Sequence, residues 1–308
     1  MNANTQYNRS TTMAACLLAA SVTLSLATFG CKKSDQAGGS TKKTVISVQG
    51  SDTMVNESQA WAEAYGKVDS TVSIEVGGGG SGVGIAALIN GTIDIANASR
   101  DMKVDEKAKA KANSGKDPVE FTVGFDALAV FVHKDNPLTE ITLGQLASIY
   151  AEGGAVTQWS DLGVTVPGCD GSIRRVSRQS NSGTYEFFRE HVLNKKDFKL
   201  GSIDLNGSKE VVDLIGNTPC AIGYSGMGYA NAKVKMLKVS MKPGEPAHEP
   251  SVANTLSKKY PIARPLFLYT LGQPTEQVKK YIDWILGPQG QKIVEESGYV
   301  PVPQKSAP

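Results

Sequence analysis

Two long apolar runs limit the folds open to this chain. Phe121–His133 (FTVGFDALAVFVH) and Pro261–Thr270 (PIARPLFLYT) are both extended in character, and both exceed the usual strand of about five or six residues. A segment of that length suits a strand that leaves one sheet and enters another. The rest of the chain alternates strand-like and helix-like segments, which implies a largely parallel α/β architecture. With both runs taken as crossovers, residues 126–260 form a second domain inserted into a first made of 44–125 plus 261–308. Such a chain has two parallel-rich sheets, a two-strand hinge and a cleft.

Apolar spacing and stop signals set the elements. Thr44–Gln49, Thr71–Val76 and Ile93–Ala96 are expected strands; Met54–Tyr65, Val83–Asn90 and Val104–Ala112 are expected helices. Further on, helices are expected over Leu143–Ala151, Gly183–Leu193 and Lys209–Ile215, with a strand ending at Val176 and another over Ala221–Tyr224. Thr275–Leu286 is a helix capped by Thr275 and stopped by Gly287-Pro288, and Gln289–Ser297 continues as a helix.

The chemistry lies in three strand-to-helix turns of one design: Gly50–Met54 (GSDTM), Gly77–Gly84 (GGGGSGVG) and Ser177–Tyr185 (SRQSNSGTY). Each joins hydroxyl side chains and glycine to a helix N-terminus, where free N–H groups and the positive dipole end attract anions. Glycine lets the backbone approach a ligand closely. One such turn is explained by helix capping alone; three in one chain, one of them with Arg178, point to an anion site. Of the 32 glycines among 308 residues, eight fall in these turns, four of them in a row before Ser81. Net charge is close to neutral, with 32 Lys+Arg against 30 Asp+Glu, which argues against a nucleic-acid face or a polybasic membrane patch.

Rival chemistries fit less well. Gly77-x-Gly79-x-x-Gly82 formally matches a dinucleotide fingerprint, with Asp94 too early and Asp101 about on time for the ribose acid. An exported protein rarely meets that cofactor, and no Lys follows the glycines as a P-loop requires. Ser81 is flanked by Gly79 and Val83, so no nucleophile elbow exists, and His133, His191 and His248 stand apart. No HExxH or Cys/His zinc spacing is present. Binding without catalysis, cofactor or metal is the expectation.

Residues 1–30 resemble an export signal. Arg9 is followed by Met13–Phe29, seventeen residues without a charge, and then by Gly30-Cys31-Lys32. The Gly30-Cys31 junction suits a lipoprotein signal with lipid on Cys31, although Thr28 and Phe29 depart from the common pattern; an uncleaved anchor is the alternative. Residues 31–43 then form a flexible tether. With Cys16 in the signal, Cys169 and Cys220 remain as either one disulfide or two buried thiols.

GSDTM, GGGGSGVGIAALINGTIDIANASRDMK, GFDALAVFVHKDNPLT, QSNSGTYEFF, RPLFLYT, GPQGQ and GYVPV occur in this order. They resemble the phosphate-binding subunit of bacterial phosphate ABC importers, the PstS family, over about Thr44–Pro303. The resemblance implies a type II periplasmic-binding-protein fold and a monomeric receptor that closes on inorganic phosphate and delivers it to a membrane permease. Carried over by motif, Ser51, Thr53 and the Met54 N–H form the first anion loop, and Ser81 with Gly82 the second. Ser99 and Arg100 follow, and Arg178, Ser182, Gly183 and Thr184 form the third segment. Some members place an Asp directly after the Ala-Ser to accept the proton of monohydrogen phosphate; here Arg100 stands there, with Asp101 next. Discrimination against sulfate is therefore less defined than anion binding. The alternatives are a receptor for sulfate or molybdate, and a secreted phosphatase on the same scaffold.

Overall fold

The structure is a computed structural model that describes residues 43–303. The signal-like segment 1–30, the lipidation candidate Cys31 and the tether up to residue 42 lie outside the described residues. In chain order the strands are β1 (Thr44–Gly50), β2 (Val72–Gly77), β3 (Ile95–Ala98), β4 (Pro118–His133), β5 (Glu140–Thr142), β6 (Arg174–Arg178), β7 (Ile203–Leu205), β8 (Ala221–Gly226), β9 (Val234–Met236), β10 (Lys238–Ser240) and β11 (Ala263–Leu271). The helices are α1 (Val55–Val68), α2 (Ser81–Ile89), α3 (Val104–Ser114), α4 (Leu143–Tyr150), α5 (Gly183–His191), α6 (Ser208–Gly216), α7 (Val252–Leu256), α8 (Glu276–Leu286) and α9 (Pro288–Glu296).

One strand organises the sheet, whose order is β2-β1-β3-β11-β4-β8-β6-β7, with β9 also on β4. Over residues 118–127, β4 pairs with β11; from Leu128 it pairs with β8 and β9. The long apolar run therefore serves two half-sheets, and its length is explained. The second run behaves differently from expectation. β11 pairs only with β3 and β4 in the first half-sheet. The chain enters it at Ile262, whose carbonyl accepts from the Leu128 N–H at 2.9 Å. Its apolar length reflects burial on both faces: Leu266 and Leu268 enter one core, and Phe267 and Tyr269 another.

Each half-sheet is mixed and not parallel-rich. β1 pairs parallel with β2 and β3, and β6 with β7 and β8, whereas every pairing of β4 and of β11 is antiparallel. The joining strands must run back between the half-sheets, which reverses them against their neighbours. Sequence reading also missed the two-stranded β5–β10 sheet and the five-residue α7, which are too short to show a period.

Local chemistry accounts for the element ends. The Thr142 hydroxyl accepts from the Gln145 N–H at 3.0 Å while Gln145 Oε1 accepts from the Thr142 N–H at 2.9 Å, a capping box that starts α4. On α8, buried Val278, Tyr281, Ile282 and Ile285 form one helical stripe against the first core, which also holds Trp61 and Tyr65. The second core surrounds the β4 run 127–132 and includes Trp159, Phe188 and Tyr224. There the Phe188 and Tyr224 rings stack with centroids 3.8 Å apart. Cys169 and Cys220 are joined by a disulfide. Near the end of the described chain, Phe125 and Val300 exchange N–H···O bonds of 2.7 and 2.9 Å beside the crossing.

One buried acid stands apart. Glu57 on α1 is fully buried, and neither carboxyl oxygen has a hydrogen-bond partner. Burial, reinforced by the charge of Asp126, raises its pKa well above the usual carboxylate range. The folded state thus favours the protonated acid. Its stabilising contribution is complete below the unfolded pKa of about 4.3 and is lost as pH rises toward the raised folded value. Glu57→Gln is expected to melt several degrees above the wild type at neutral pH, since each pH unit of elevation is worth about 1.4 kcal/mol. The gap should close near pH 4, about the unfolded value; thermal melts at several pH values that show a constant gap would contradict this.

Candidate functional site

Hydroxyls from three turns and from the end of β3 meet in one buried cluster. After β1, the Ser51 N–H donates to the Asn97 carbonyl at 3.0 Å, which prolongs the ladder and fixes the turn. Ser51 Oγ then donates to Ser99 Oγ at 2.9 Å. At the start of α2, Ser81 Oγ accepts from the Ser99 N–H at 3.1 Å and lies 3.3 Å from Ser99 Oγ. Thr53 Oγ1 and Thr184 Oγ1 lie 3.1 Å apart, one before α1 and the other in the first turn of α5. Ser182 caps α5, its Oγ accepting from the Thr184 N–H at 3.1 Å.

Glycine permits this approach. A Cβ on Gly183 would stand 2.3 Å from Ser81 Oγ and 2.7 Å from Ser99 Oγ, closer than any side chain allows. Gly80, at φ +93°, would place a Cβ 2.7 Å from the Asn181 carbonyl. Across the same seam the Gly82 N–H donates to the Asn181 carbonyl at 3.0 Å, and Asn181 Nδ2 donates to the Gly79 carbonyl at 3.1 Å.

Three guanidiniums surround the cluster, each matched to a carboxylate. Arg178 Nη2 donates to Asp52 Oδ2 at 2.9 Å, Nη1 to Ser208 Oγ at 3.0 Å and Nε to the Asn206 carbonyl at 3.1 Å. Burial lowers its pKa against the opposing charge of Asp52. Asp52 Oδ1 accepts from the Gly79 N–H at 2.8 Å, and its carbonyl accepts from the Tyr229 hydroxyl at 2.7 Å. Arg100 forms a fork on Glu106 with contacts of 2.8 and 2.7 Å. Burial disfavours its charge, but the hydrogen bond and charge of Glu106 outweigh that and hold its pKa above the usual value. Arg264 pairs with Asp126 at 2.8 Å, and both side chains are 0% exposed. The Phe187 ring lies 5.5 Å from the Arg264 guanidinium carbon.

The structure brings Ser51, Thr53, Ser81, Ser99, Ser182, Gly183 and Thr184 together as the sequence suggests, with every side chain buried. Other expected residues hold partners within the protein. The Met54 N–H is used within its own turn, donating to the Ser51 carbonyl at 3.0 Å. Arg100 turns to Glu106 and Arg178 to Asp52, so neither guanidinium hydrogen-bonds the hydroxyls of the cluster; each pairs with a half-buried carboxylate. Asp101 is exposed and stands outside the cluster.

Sequence reading missed the guanidinium that does contact the hydroxyls. Arg264 Nη2 donates to Thr53 Oγ1 at 3.2 Å and Thr184 Oγ1 at 2.9 Å. The available signal was a lone charge in each long apolar run, Arg264 in one and Asp126 of opposite sign in the other. Asp52 lies within the first turn, but a carboxylate gives no sequence signal for an anion site. The three histidines make local contacts: His133 with the Asp135 N–H, His191 with the Phe187 carbonyl and His248 with the Val239 backbone.

Two half-sheets sharing a crossing strand, with a buried hydroxyl cluster at helix N-termini between them, fit a solute-binding protein of the PBP superfamily, and residues 35–289 match the PBP superfamily domain. Phosphate-binding protein PstS of Pseudomonas aeruginosa is 34% identical over 272 residues, covering 85% of this chain and 84% of that protein. Protein SphX of Synechococcus elongatus is 33% identical over 307 residues, covering 96% and 89%. A Clostridium perfringens structure described as a phosphate ABC transporter substrate-binding protein with bound phosphate aligns at a TM-score of 0.74 with 32% identity, covering 84% of this chain and 100% of that one. The chain belongs to the PstS family of phosphate-binding proteins.

Gly183→Ala tests the seam. The added methyl must push α5 away from Ser81 and Ser99, an overpacking cost of about 1–3 kcal/mol. The Gly82 amide, which donates to Asn181 across the seam, is expected to exchange with solvent about tenfold faster or more. Unchanged exchange at Gly82 would show that the contact tolerates a side chain.

Proposed function

We propose that this protein is an extracytoplasmic receptor that captures inorganic phosphate between its two half-sheets and delivers it to the permease of an ABC importer. The observation that carries this reading is the buried convergence of Ser51, Thr53, Ser81 and Thr184 at the starts of α1, α2 and α5 with Ser99 at the end of β3. Hydroxyls and helix N-terminal dipoles can hold a dehydrated anion without net positive charge. Micromolar affinity requires only about 8 kcal/mol, and hydrogen bonds to a charged group contribute roughly 1.5–3 kcal/mol each. Gly183 stands beside the hydroxyls, and Met54, Arg100, Arg178 and Ser182 shape the surround together with the Gly82 and Thr184 amides, which donate to the Asn181 carbonyl and Ser182 Oγ.

The partner change of β4 between Ala127 and Leu128 supports this reading and a division into domains at 126 and 260. Opening about that crossing would separate Thr53 from Thr184 and Gly82 from Asn181. The protein acts as a monomer held to the membrane by lipid on Cys31, and it binds its ligand without transforming it. A second reading, a receptor for another tetrahedral oxyanion such as sulfate or molybdate, is favoured by the arginine at position 100 and the exposure of Asp101.

Equilibrium titration with inorganic phosphate is expected to give saturable binding at micromolar concentration or below. Ser81→Ala, which removes one buried donor, should weaken it about tenfold or more. No saturable phosphate binding, or full affinity in Ser81→Ala, would sink the proposal. Tighter binding of sulfate or molybdate than of phosphate would move the assignment to the second reading.

A further inference from the structure

Arg264 stands where the half-sheets join and reaches both sides of the hydroxyl cluster. Its Cα partner in the β4–β11 ladder is Asp126, and Nε and Nη2 donate to Asp126 Oδ2 at 3.1 and 2.8 Å. Nη1 donates to the Ser99 carbonyl at 3.1 Å. Nη2 also reaches the hydroxyl oxygens of Thr53 and Thr184. Anchored on a buried carboxylate, the planar fork is fixed in orientation.

A guanidinium donates and cannot accept, so these contacts have one polarity. The Thr53 and Thr184 oxygens are acceptors toward Arg264, and their own protons must point away from it. The two hydroxyls carry one proton each and share a single contact of 3.1 Å. One proton can serve that contact; the other is directed out of the pair. Ser81 Oγ has the same polarity, because it accepts from the Ser99 N–H.

The nearby carboxylates already hold donors. Asp126 Oδ1 accepts from the Met227 N–H and Oδ2 from Arg264. Asp52 accepts from the Gly79 N–H and from Arg178. Glu106 accepts from Arg100 and from the Lys103 N–H. The carboxylates paired with these guanidiniums thus leave no unpartnered oxygen for an anion's own protons, and Glu57, whose oxygens hold no donor, bonds none of the cluster's hydroxyls; the anion with fewer protons is favoured.

We propose that Arg264, anchored on Asp126, is a positioning residue that turns Thr53 and Thr184 into proton donors, so that the site selects the phosphate dianion over the monoanion. This rests on the phosphate reading above and adds the ionic form that the site takes. The same donor polarity admits sulfate as a competitor, since sulfate brings no proton that needs an acceptor. Charged and titratable groups facing Arg264 or Asp126 are Arg178 on β6, Glu57 on α1, and Tyr229, Tyr260 and Tyr299. Sulfate keeps its charge through the neutral range, so it separates their titration from the ligand's.

The experiment is calorimetric titration with phosphate and with sulfate, at pH values below and above the second ionisation of phosphate. It uses the wild type, Arg264→Lys and the double variant Asp126→Asn with Arg264→Gln, each first checked for a cooperative melt. Wild-type phosphate affinity is expected to rise up to about tenfold per pH unit below that ionisation and then level off. Sulfate is expected to compete with a constant that does not follow pH. Arg264→Lys keeps the charge but loses the fork; it should bind phosphate about tenfold more weakly or worse, with a flattened pH profile. A folded Arg264→Lys with the wild-type profile would overturn the proposal. So would a sulfate constant that tracks pH as phosphate does, or a failure of sulfate to compete. If Arg264→Lys does not fold, the double variant, which leaves no charge buried alone, gives the same readout: a flat profile supports the proposal and a retained one overturns it. A wild type that binds phosphate equally at all pH values defeats this inference alone, whereas one that binds neither anion defeats the receptor reading and this inference with it.

Discussion

The ion pair between Arg264 and Asp126 is the fixed point of the structure. Two opposite charges are buried at the place where the chain passes between half-sheets, and each is held by more than the other. Asp126 Oδ1 takes the Met227 N–H just after β8, while Arg264 reaches Ser99 after β3, Thr53 before α1 and Thr184 in α5. Taking two charges out of water is costly, and removing one partner of such a pair typically costs about 3–5 kcal/mol. A hydrophobic pair could fill the same space without that cost. What it could not do is aim hydroxyls from both half-sheets at one another.

The rest of the site follows a principle of local neutrality. Arg100, Arg178 and Arg264 each carry their own carboxylate, so no guanidinium adds net charge to the cluster. Affinity for an anion must then come from oriented dipoles: hydroxyls whose polarity is set by their neighbours, and the first turns of α2 and α5. This explains how a chain of net charge +2 can serve an anionic ligand. Recognition is short-ranged and buried, so an overall basic surface is unnecessary and long-range steering is weak.

Much of this was legible in the residues. The glycine-rich turns, the helix starts and the length of the β4 run all have local causes, and local causes leave local patterns. Capping and close approach marked the turns, and the family resemblance then named Ser81, Ser182, Gly183 and Thr184 within them. Orientation was not legible. Arg178 and Arg100 have the right chemistry for an anion, yet their guanidiniums turn to Asp52 and Glu106, partners fixed by tertiary packing. Arg264 was hidden for the opposite reason: it sits inside an apolar strand, where periodicity marks the backbone and says nothing of one outlying charge. The parallel-rich expectation failed because the alternation of strands and helices cannot reveal that a joining strand must run backwards.

The chain near its C-terminal end has a consequence for biosynthesis. Tyr299 donates its hydroxyl to the Thr53 carbonyl at 2.7 Å, and Val300 pairs with Phe125 at the crossing. Thr53 and Tyr299 are separated by most of the polypeptide, as are β1 and the β11 strand that shares its half-sheet. Contacts of such long sequence separation form late. The turn that carries Thr53 therefore waits for a partner 246 positions further along the chain. A chain cut short before position 299 would carry every hydroxyl of the cluster and still lack the support behind Thr53.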